Sequence, residues 1–185
     1  IFEDLDKNQV IDENDMQVIG DPNPDFTGMF NTMLSWKGIS LEAAFSFSYG
    51  NEVYNHLRYK LESMQNAYNQ TPSVLNRWRG EGQETHVPKA VWGDPIGNSR
   101  FSDLWVEDGS YLRLSNITLS YKLPIKPGIL NSIEIFASAH NLVTLTAYKG
   151  MDPDFSLSGA TLTQGIDIGL TPQPRSVFMG IKIGL

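Results

Sequence analysis

Two runs of alternating residues, placed back to back around Lys37-Gly38, constrain this chain more than any other feature. In the stretch 39–49, Ile39, Leu41, Ala43, Phe45, Phe47 and Tyr49 fall on one parity, and Ser40, Glu42, Ala44, Ser46 and Ser48 on the other. Strand side chains alternate between faces, so one face is apolar and the other small and polar. Just before it, Phe30, Thr32, Leu34 and Trp36 alternate with Asn31, Met33 and Ser35. Lys37-Gly38 between the runs predicts a tight hairpin turn. Each run has the roughly 9–11 residues that a tilted strand needs to cross a bilayer. The apolar face ends in Trp36 and Tyr49, as an interfacial aromatic girdle would. The same hairpin also suits the half-buried face of a soluble β-sandwich, so the local pattern leaves both open.

The rest of the chain separates them. Asp21 to Asp25 is a turn-rich stop before the first strand. After Gly50 the period changes. Val53, Leu57, Leu61 and Met64 recur at helical spacing and predict a helix over about 52–66. Thr71-Pro72 predicts the cap and first turn of a second short helix reaching Trp78. Residues 80–104 are aperiodic and carry Gly, Pro and Asn. Strand character returns at 111–123, where Ile117, Leu119, Tyr121 and Leu123 oppose Leu112 and Leu114 in parity. That switch predicts a β-bulge near Ser115-Asn116. Ile133, Ile135, Ala137 and Ala139 make the next run, 145–172 a long polar loop, and Val177, Met179, Ile181, Ile183 and Leu185 the last strand. Five strands are thus joined by connections that alternate short, long, short, long. Outer-membrane barrels sort their loops in this way, whereas a sandwich has no reason to.

Composition sets the outer limits. The 185 residues fit one domain or a large piece of one. A net charge of −7 argues against nucleic acid, whose phosphates need clustered Lys and Arg. With no cysteine, disulfide scaffolds and cysteine-bearing zinc sites are excluded. No apolar run has the ~18 residues of a membrane helix, a test to which barrel strands are silent. Without an initiator Met or a signal peptide, the chain is expected to be a fragment of a longer one.

Residues 1–27 form an acidic loop. Counted from Asp4, the side chains of Asp4, Asp6, Asn8, Asp12 and Asp15 take positions 1, 3, 5, 9 and 12 of an EF-hand-type loop, with the Val10 carbonyl at position 7. Hard cations need several oxygens converging on one point, so the order predicts a structural Ca2+ site. Gln9 stands where the sharp turn prefers Gly, and Asp15 replaces the bidentate Glu. An acidic, solvated surface loop is the alternative.

Taken together, the ordered stretches DKNQVIDENDMQVIGDPNPDFTGMFN, SDLWVEDGSYLRLSNITLSYKLP, FASAHNLVTLTAYKGMDPD and GIDIGLTPQPRSVFMGIKIGL resemble the C-terminal barrel segment of the SusC/RagA family of TonB-dependent outer-membrane transporters. The resemblance covers essentially the whole chain. It departs at Gln9, where the family's acidic loop has Gly, and at Leu185, where a terminal aromatic is common. It implies an all-β fold: about five C-terminal antiparallel strands of a large transmembrane β-barrel, with long extracellular loops containing short helices. Residues 28–185 would be barrel, and the plug and TonB-engaging segments would lie outside the 185 residues. It further implies a Gram-negative outer-membrane location and contact with outer-membrane lipid. The implied partners are TonB, a lid lipoprotein of the SusD type, and oligosaccharide or peptide cargo. The residues 180–185 resemble the terminal signal read by the barrel-assembly machinery. The competing reading is a secreted, calcium-dependent β-sandwich that binds glycans.

No catalytic constellation emerges. His56, His86 and His140 are scattered and lack a nucleophile–base motif. Glu84, Glu107 and Asp108 read as solvated loop carboxylates. Trp78, Trp92 and Trp105 read as packing of the long loop against itself, with sugar stacking as the alternative. Glu42, Glu134 and Lys182 are expected on the inner, polar face.

Overall fold

The computed structural model describes residues 2–126, 128, 130–155 and 163–184. In chain order the strands are β1 (Phe26–Trp36), β2 (Ile39–Tyr49), β3 (Glu52–Asn55), β4 (Val106–Asp108), β5 (Tyr111–Lys122), β6 (Ser132–Thr146), β7 (Ile166–Asp167) and β8 (Ser176–Gly184). The helix α1 (His56–Glu62) and single 3-10 turns at Glu13–Asp15, Pro72–Asn76 and Asp103–Trp105 complete the elements.

Five long strands form one sheet in the order β1-β2-β5-β6-β8, every neighbouring pair antiparallel. This is a plain meander, as the alternating connections predict. Lys37 (φ 48°) and Gly38 (φ 88°) both adopt the left-handed region, the geometry of a two-residue turn whose twist matches its strands. The turn at 37–38 and the described residues of the link 123–131 lie at one end of the sheet. The described residues of the connections 50–110 and 147–175 lie at the other, together with the acidic N-terminal segment. Asp25 N donates to Tyr49 O at 2.9 Å, and Glu52 N to Asp21 O at 2.8 Å.

Directly opposed residues share a face, and the register therefore sorts the sheet. One cross-strand row reads Leu34, Leu41, Leu119, Ala137 and Met179; the next reads Trp36, Ile39, Tyr121, Ile135 and Ile181. On the reverse face the rows read Ser35, Ser40, Ser120, Phe136 and Gly180, then Met33, Glu42, Thr118, Ser138 and Phe178. The bulge falls at Ser115 as predicted. Opposite it, β2 steps directly from Ala44 to Phe45, while β6 interposes Asn141 and Leu142 between His140 and Val143. The extra residue returns Leu112 and Leu114 to the apolar face beside Phe47, Phe45, Leu145 and Val143. Without it, every side chain above the bulge would change sides.

Among the described residues no second sheet covers the apolar face. Met179 is 82% exposed, and Leu34, Trp36, Val177 and Ile181 are also largely open. That overturns the sandwich reading, since a sandwich buries this face on a partner sheet. The core lies instead in the layer formed by the long connections. There β4, β3 and β7 make a small second sheet, in which β3 pairs with β7 in parallel. Trp105, Val53 and Asn55 are its most deeply buried side chains.

Two helix predictions need correction. Residues 52–55 are strand, and α1 spans only His56–Glu62. Asn55 sets its start by accepting from Arg58 N at 2.8 Å. Val53 thus faces a core as a strand residue, and the helical spacing from Val53 to Leu57 is coincidental. The second helix shrinks to the 3-10 turn Pro72–Asn76, and the Thr71 hydroxyl turns away from its cap role towards Glu62. Leu185, assigned to the apolar face of the last strand, lies outside the described residues. No helix among them is long and apolar enough to cross a membrane.

Candidate functional site

Three charged knots hold the loop layer together and fix it to the sheet. The first centres on Arg58. Its Nε donates to Glu62 Oε2 at 3.0 Å, one helical turn along, and its Nη1 to Glu107 Oε1 at 2.6 Å and Leu104 O at 3.2 Å. The guanidinium lies 5.4 Å from the Trp105 ring centroid, a cation–π distance. Glu62 Oε1 accepts from the Thr71 and Ser73 hydroxyls. Burial pulls the Glu62 carboxyl upward, but the Ser73, Thr71 and Arg58 hydrogen bonds outweigh it and hold the group below its usual range. Glu107 Oε2 accepts from Lys149 N at 2.9 Å, so this knot joins both long connections.

The second knot centres on Arg113, a cation in the polar parity of β5. Its position opposite Ser46 and Thr144 puts it on the reverse face, and it is 3% exposed. Nη2 pairs with Asp152, Nη1 with Asp154 Oδ2 at 3.2 Å, and Nε with Thr144 Oγ1 at 3.1 Å. Asp152 also accepts from Asp154 N and Gln173 N, each at 2.9 Å. The third knot is Tyr148, whose hydroxyl donates to Asp167 Oδ2 at 2.6 Å. Burial first, then this carboxylate, pushes the Tyr148 hydroxyl well above the usual phenol range. Asp167 Oδ1 accepts from Gly169 N at 2.8 Å.

In the acidic loop, the carboxylates of Asp4, Asp6 and Asp15 each bring an oxygen within 4.8 Å of the others. Asn8 joins them by donating Nδ2 to Asp6 Oδ2 at 2.9 Å, while its own Oδ1 accepts from Val10 N at 2.7 Å. Asp12 caps the turn at 13–15, accepting from Asn14 N at 2.8 Å. The hydrogen bond from Asp12 N, joined by a smaller one from Leu5 N, outweighs the opposing desolvation and holds the Asp15 carboxyl below its usual range. Gln9 has φ 65°, so the position that prefers Gly adopts the left-handed turn with Gln in place. The donor set is all oxygen, which fits a hard cation. Arg100 ties this loop to the loop layer by donating to Ile11 O at 3.0 Å.

Other sequence-selected residues fall as follows. Glu107 is not solvated but paired with Arg58, because β4 carries it against α1. Glu84 and Asp108 are exposed. Trp105 is enclosed by its own loop, Trp78 lies under Lys89 at 5.6 Å, and Trp92 is exposed. His56 stacks on Tyr59, His140 meets Phe178 edge-on, and His86 is exposed. Glu134 and Lys182 pair across β6 and β8 at 3.2 Å on the reverse face, where Glu42 also lies. Sequence reasoning missed Arg58, Arg113, Asp152, Tyr148 and Asp167. The available signal was an arginine inside an alternating strand and a Asp-Pro-Asp run that could answer it.

No family profile matches the chain. It is 34% identical to the TonB-dependent receptor P3 of Formosa agariphila, over 99% of the chain and 18% of that protein. It is 24% identical to the TonB-dependent receptor SusC of Bacteroides thetaiotaomicron, over 99% of the chain and 17% of SusC. In structure it superposes on the RagAB peptide importer in its closed-closed state with a TM-score of 0.76 and 30% identity, over 97% of the chain and 20% of that one. The chain thus spans about a fifth of the length of the relatives it matches. These relatives are receptors and an importer, not enzymes.

Proposed function

We propose, on the premise that the chain belongs to the SusC/RagA family of TonB-dependent receptors, that it is a C-terminal sector of barrel wall in an outer-membrane importer of Gram-negative bacteria. The observation that carries this is the single meander whose apolar face meets no protein layer among the described residues, while its reverse face is polar and bears the paired Glu134 and Lys182. Such a face requires lipid, and such a reverse face suits an aqueous, plugged lumen. The loop layer stands at the cell exterior, and energy enters through TonB contacts elsewhere in the full protein. Cargo is an oligosaccharide or a peptide, taken up beneath a lid lipoprotein of the SusD type.

The acidic loop takes Ca2+ in this reading, through Asp4, Asp6 and Asp15 with Asn8, Asp12 and the Val10 carbonyl. The convergence of the three carboxylates supports it. The ion would neutralise their mutual repulsion and stiffen the loop against Arg100.

The test uses the full-length receptor. It should resist carbonate extraction from outer membranes and run as a heat-modifiable band. Protease added to intact cells should cut within 50–110. Extraction in soluble form, or protection of 50–110 with cleavage at 123–131, refutes the assignment.

A further inference from the structure

The apolar face of the sheet is not uniform where it meets the loop layer. On β1 and β2 its last rows are aromatic. Phe26 stands opposite Tyr49, and their rings stack at 5.0 Å, while Phe26 meets Phe47 edge-on at 6.1 Å. Contacts of this kind fix the three rings as a wall. On β5 and β6 the face runs out in small residues. Ser110 precedes β5, Ala147 follows β6, and Thr146 Oγ1 donates to Ser110 O at 2.8 Å, which ties the two strand ends together. Next to them lie Leu112 and Leu145, a directly opposed pair. The step from large rings to small side chains leaves a hollow of about 440 Å³. That is within the roughly 300–1,000 Å³ of small-molecule sites and far beyond what one ordered water fills. Phe26 and Tyr49 are each 55% exposed and Leu145 61%, so nothing among the described residues covers the walls.

The hollow carries one charge. Asp108, the last residue of β4, lines it, and Asp108 Oδ1 accepts from Ser110 N at 2.8 Å, which pins the carboxylate at the edge. Among the described residues Asp108 has no ion pair, and no Lys or Arg lines the hollow. We infer that the hollow binds one outer-leaflet lipid with an amine headgroup: the ammonium pairs with Asp108, and an acyl chain lies against Phe26, Phe47 and Leu145. The hollow is continuous with the apolar rows of the same sheet, so an acyl chain reaches it without leaving the bilayer. Aromatic side chains favour this depth, where one end of a ligand is apolar and the other wet. An ammonium gains a charge-assisted hydrogen bond from the carboxylate, whereas a headgroup carrying only phosphate meets a like charge with no cation beside it. The inference rests on the apolar face standing in lipid.

The test incubates full-length receptor in detergent with phosphatidylethanolamine or phosphatidylglycerol of identical chains. A chelator is present, so that no metal ion can bridge a phosphate to Asp108. Native mass spectrometry then reads the lipid retained. One phosphatidylethanolamine should be held at least about fivefold more tightly than phosphatidylglycerol, the effect of one charge near a membrane surface. Asp108→Asn keeps an acceptor for Ser110 N and should abolish that preference. Ala147→Trp fills the hollow and should abolish the retention itself. Equal retention of the two lipids by the native receptor, or a preference that survives either substitution, overturns the site. Retention of neither lipid by a receptor that needs detergent overturns it as well. If a variant is not recovered folded, the native comparison decides alone. A receptor that stays soluble without detergent would instead show that the barrel reading has failed.

Discussion

Replacing Arg58 by methionine removes the cation from the first knot and leaves two carboxylates facing each other. The Arg58 side chain is 18% exposed, Glu62 10% and Glu107 8%. Breaking a buried pair by removing one partner costs about 3–5 kcal/mol, and the partial exposure of this one argues for the low end, about 3 kcal/mol. The loss falls on the loop layer alone, because none of the three residues belongs to the five-stranded sheet. At about 1.4 kcal/mol per tenfold change, the open form of the loop layer becomes roughly a hundredfold more populated. Hydrogen exchange of purified full-length receptor in detergent reads this directly. Amides of α1 and β4 should exchange about a hundredfold faster, while β5 and β6 keep their rates.

A pH arm checks the cause. In the native protein Glu62 is depressed, so its contribution is present above the ordinary carboxylate range and is lost as pH falls through its lowered value. In Arg58→Met the Ser73 and Thr71 hydrogen bonds remain while the Arg58 hydrogen bond and charge are lost, so the depression of Glu62 weakens. The variant should then lose less protection than the native protein as pH falls through the carboxylate range. Exchange that accelerates equally in β5 and β6, or an acid-side loss in the variant as large as the native one, refutes the reasoning.

Four further outcomes follow from the geometry. Ile181→Arg on the apolar face should cost about 2–4 kcal/mol near the bilayer midplane, whereas Lys182→Leu should change stability far less; folding into vesicles of defined thickness compares the two. A Cβ at Gly180 would lie 2.6 Å from the Phe136 ring, so Gly180→Val should cost about 1–3 kcal/mol by overpacking and be tolerated better beside Phe136→Ala, as urea titration in lipid would show. Asp6→Asn should weaken Ca2+ binding at least tenfold by calorimetry and abolish the protection of residues 4–15 from protease that Ca2+ gives; native protection without Ca2+ would refute the site. Deleting residues 180–185 from the full-length receptor should abolish its outer-membrane insertion, and normal insertion and cargo uptake would refute the terminal-signal reading.

The sheet was readable because its rule is local. Alternation with period two assigns each residue of β2 or β8 to a face without knowledge of its neighbours, and the parity break at Ser115 announces the bulge by itself. The loop layer obeys no such rule. β3, β4 and β7 are two to four residues long, and pairs such as Glu52 with Asp108 join positions more than fifty residues apart. Val53 looked helical because an apolar strand residue and an apolar helix residue are indistinguishable at one position. The Arg58 knot was invisible for a related reason. A loop carboxylate such as Glu107 reads as solvated until its cation is placed beside it, and that placement is tertiary. The acidic loop lies between these cases, because the spacing of its carboxylates is local but the engagement of Asp12 as a cap is set by the fold of the turn.

The separation of the buried core from the sheet also means that this chain is built for two solvents. The face of Leu34, Met179 and Ile181 gains nothing from collapse in water that it would not gain better from acyl chains. The enclosure of Trp105 and Val53 obeys the ordinary aqueous rules of hydration and heat capacity. The two halves should therefore melt apart. Denaturant would loosen the upper layer in a transition of modest size, with the heat-capacity step expected of a small water-side core. The meander would persist to a higher denaturant concentration, in lipid or in a detergent micelle alike. A single midpoint for the whole chain would then describe neither half.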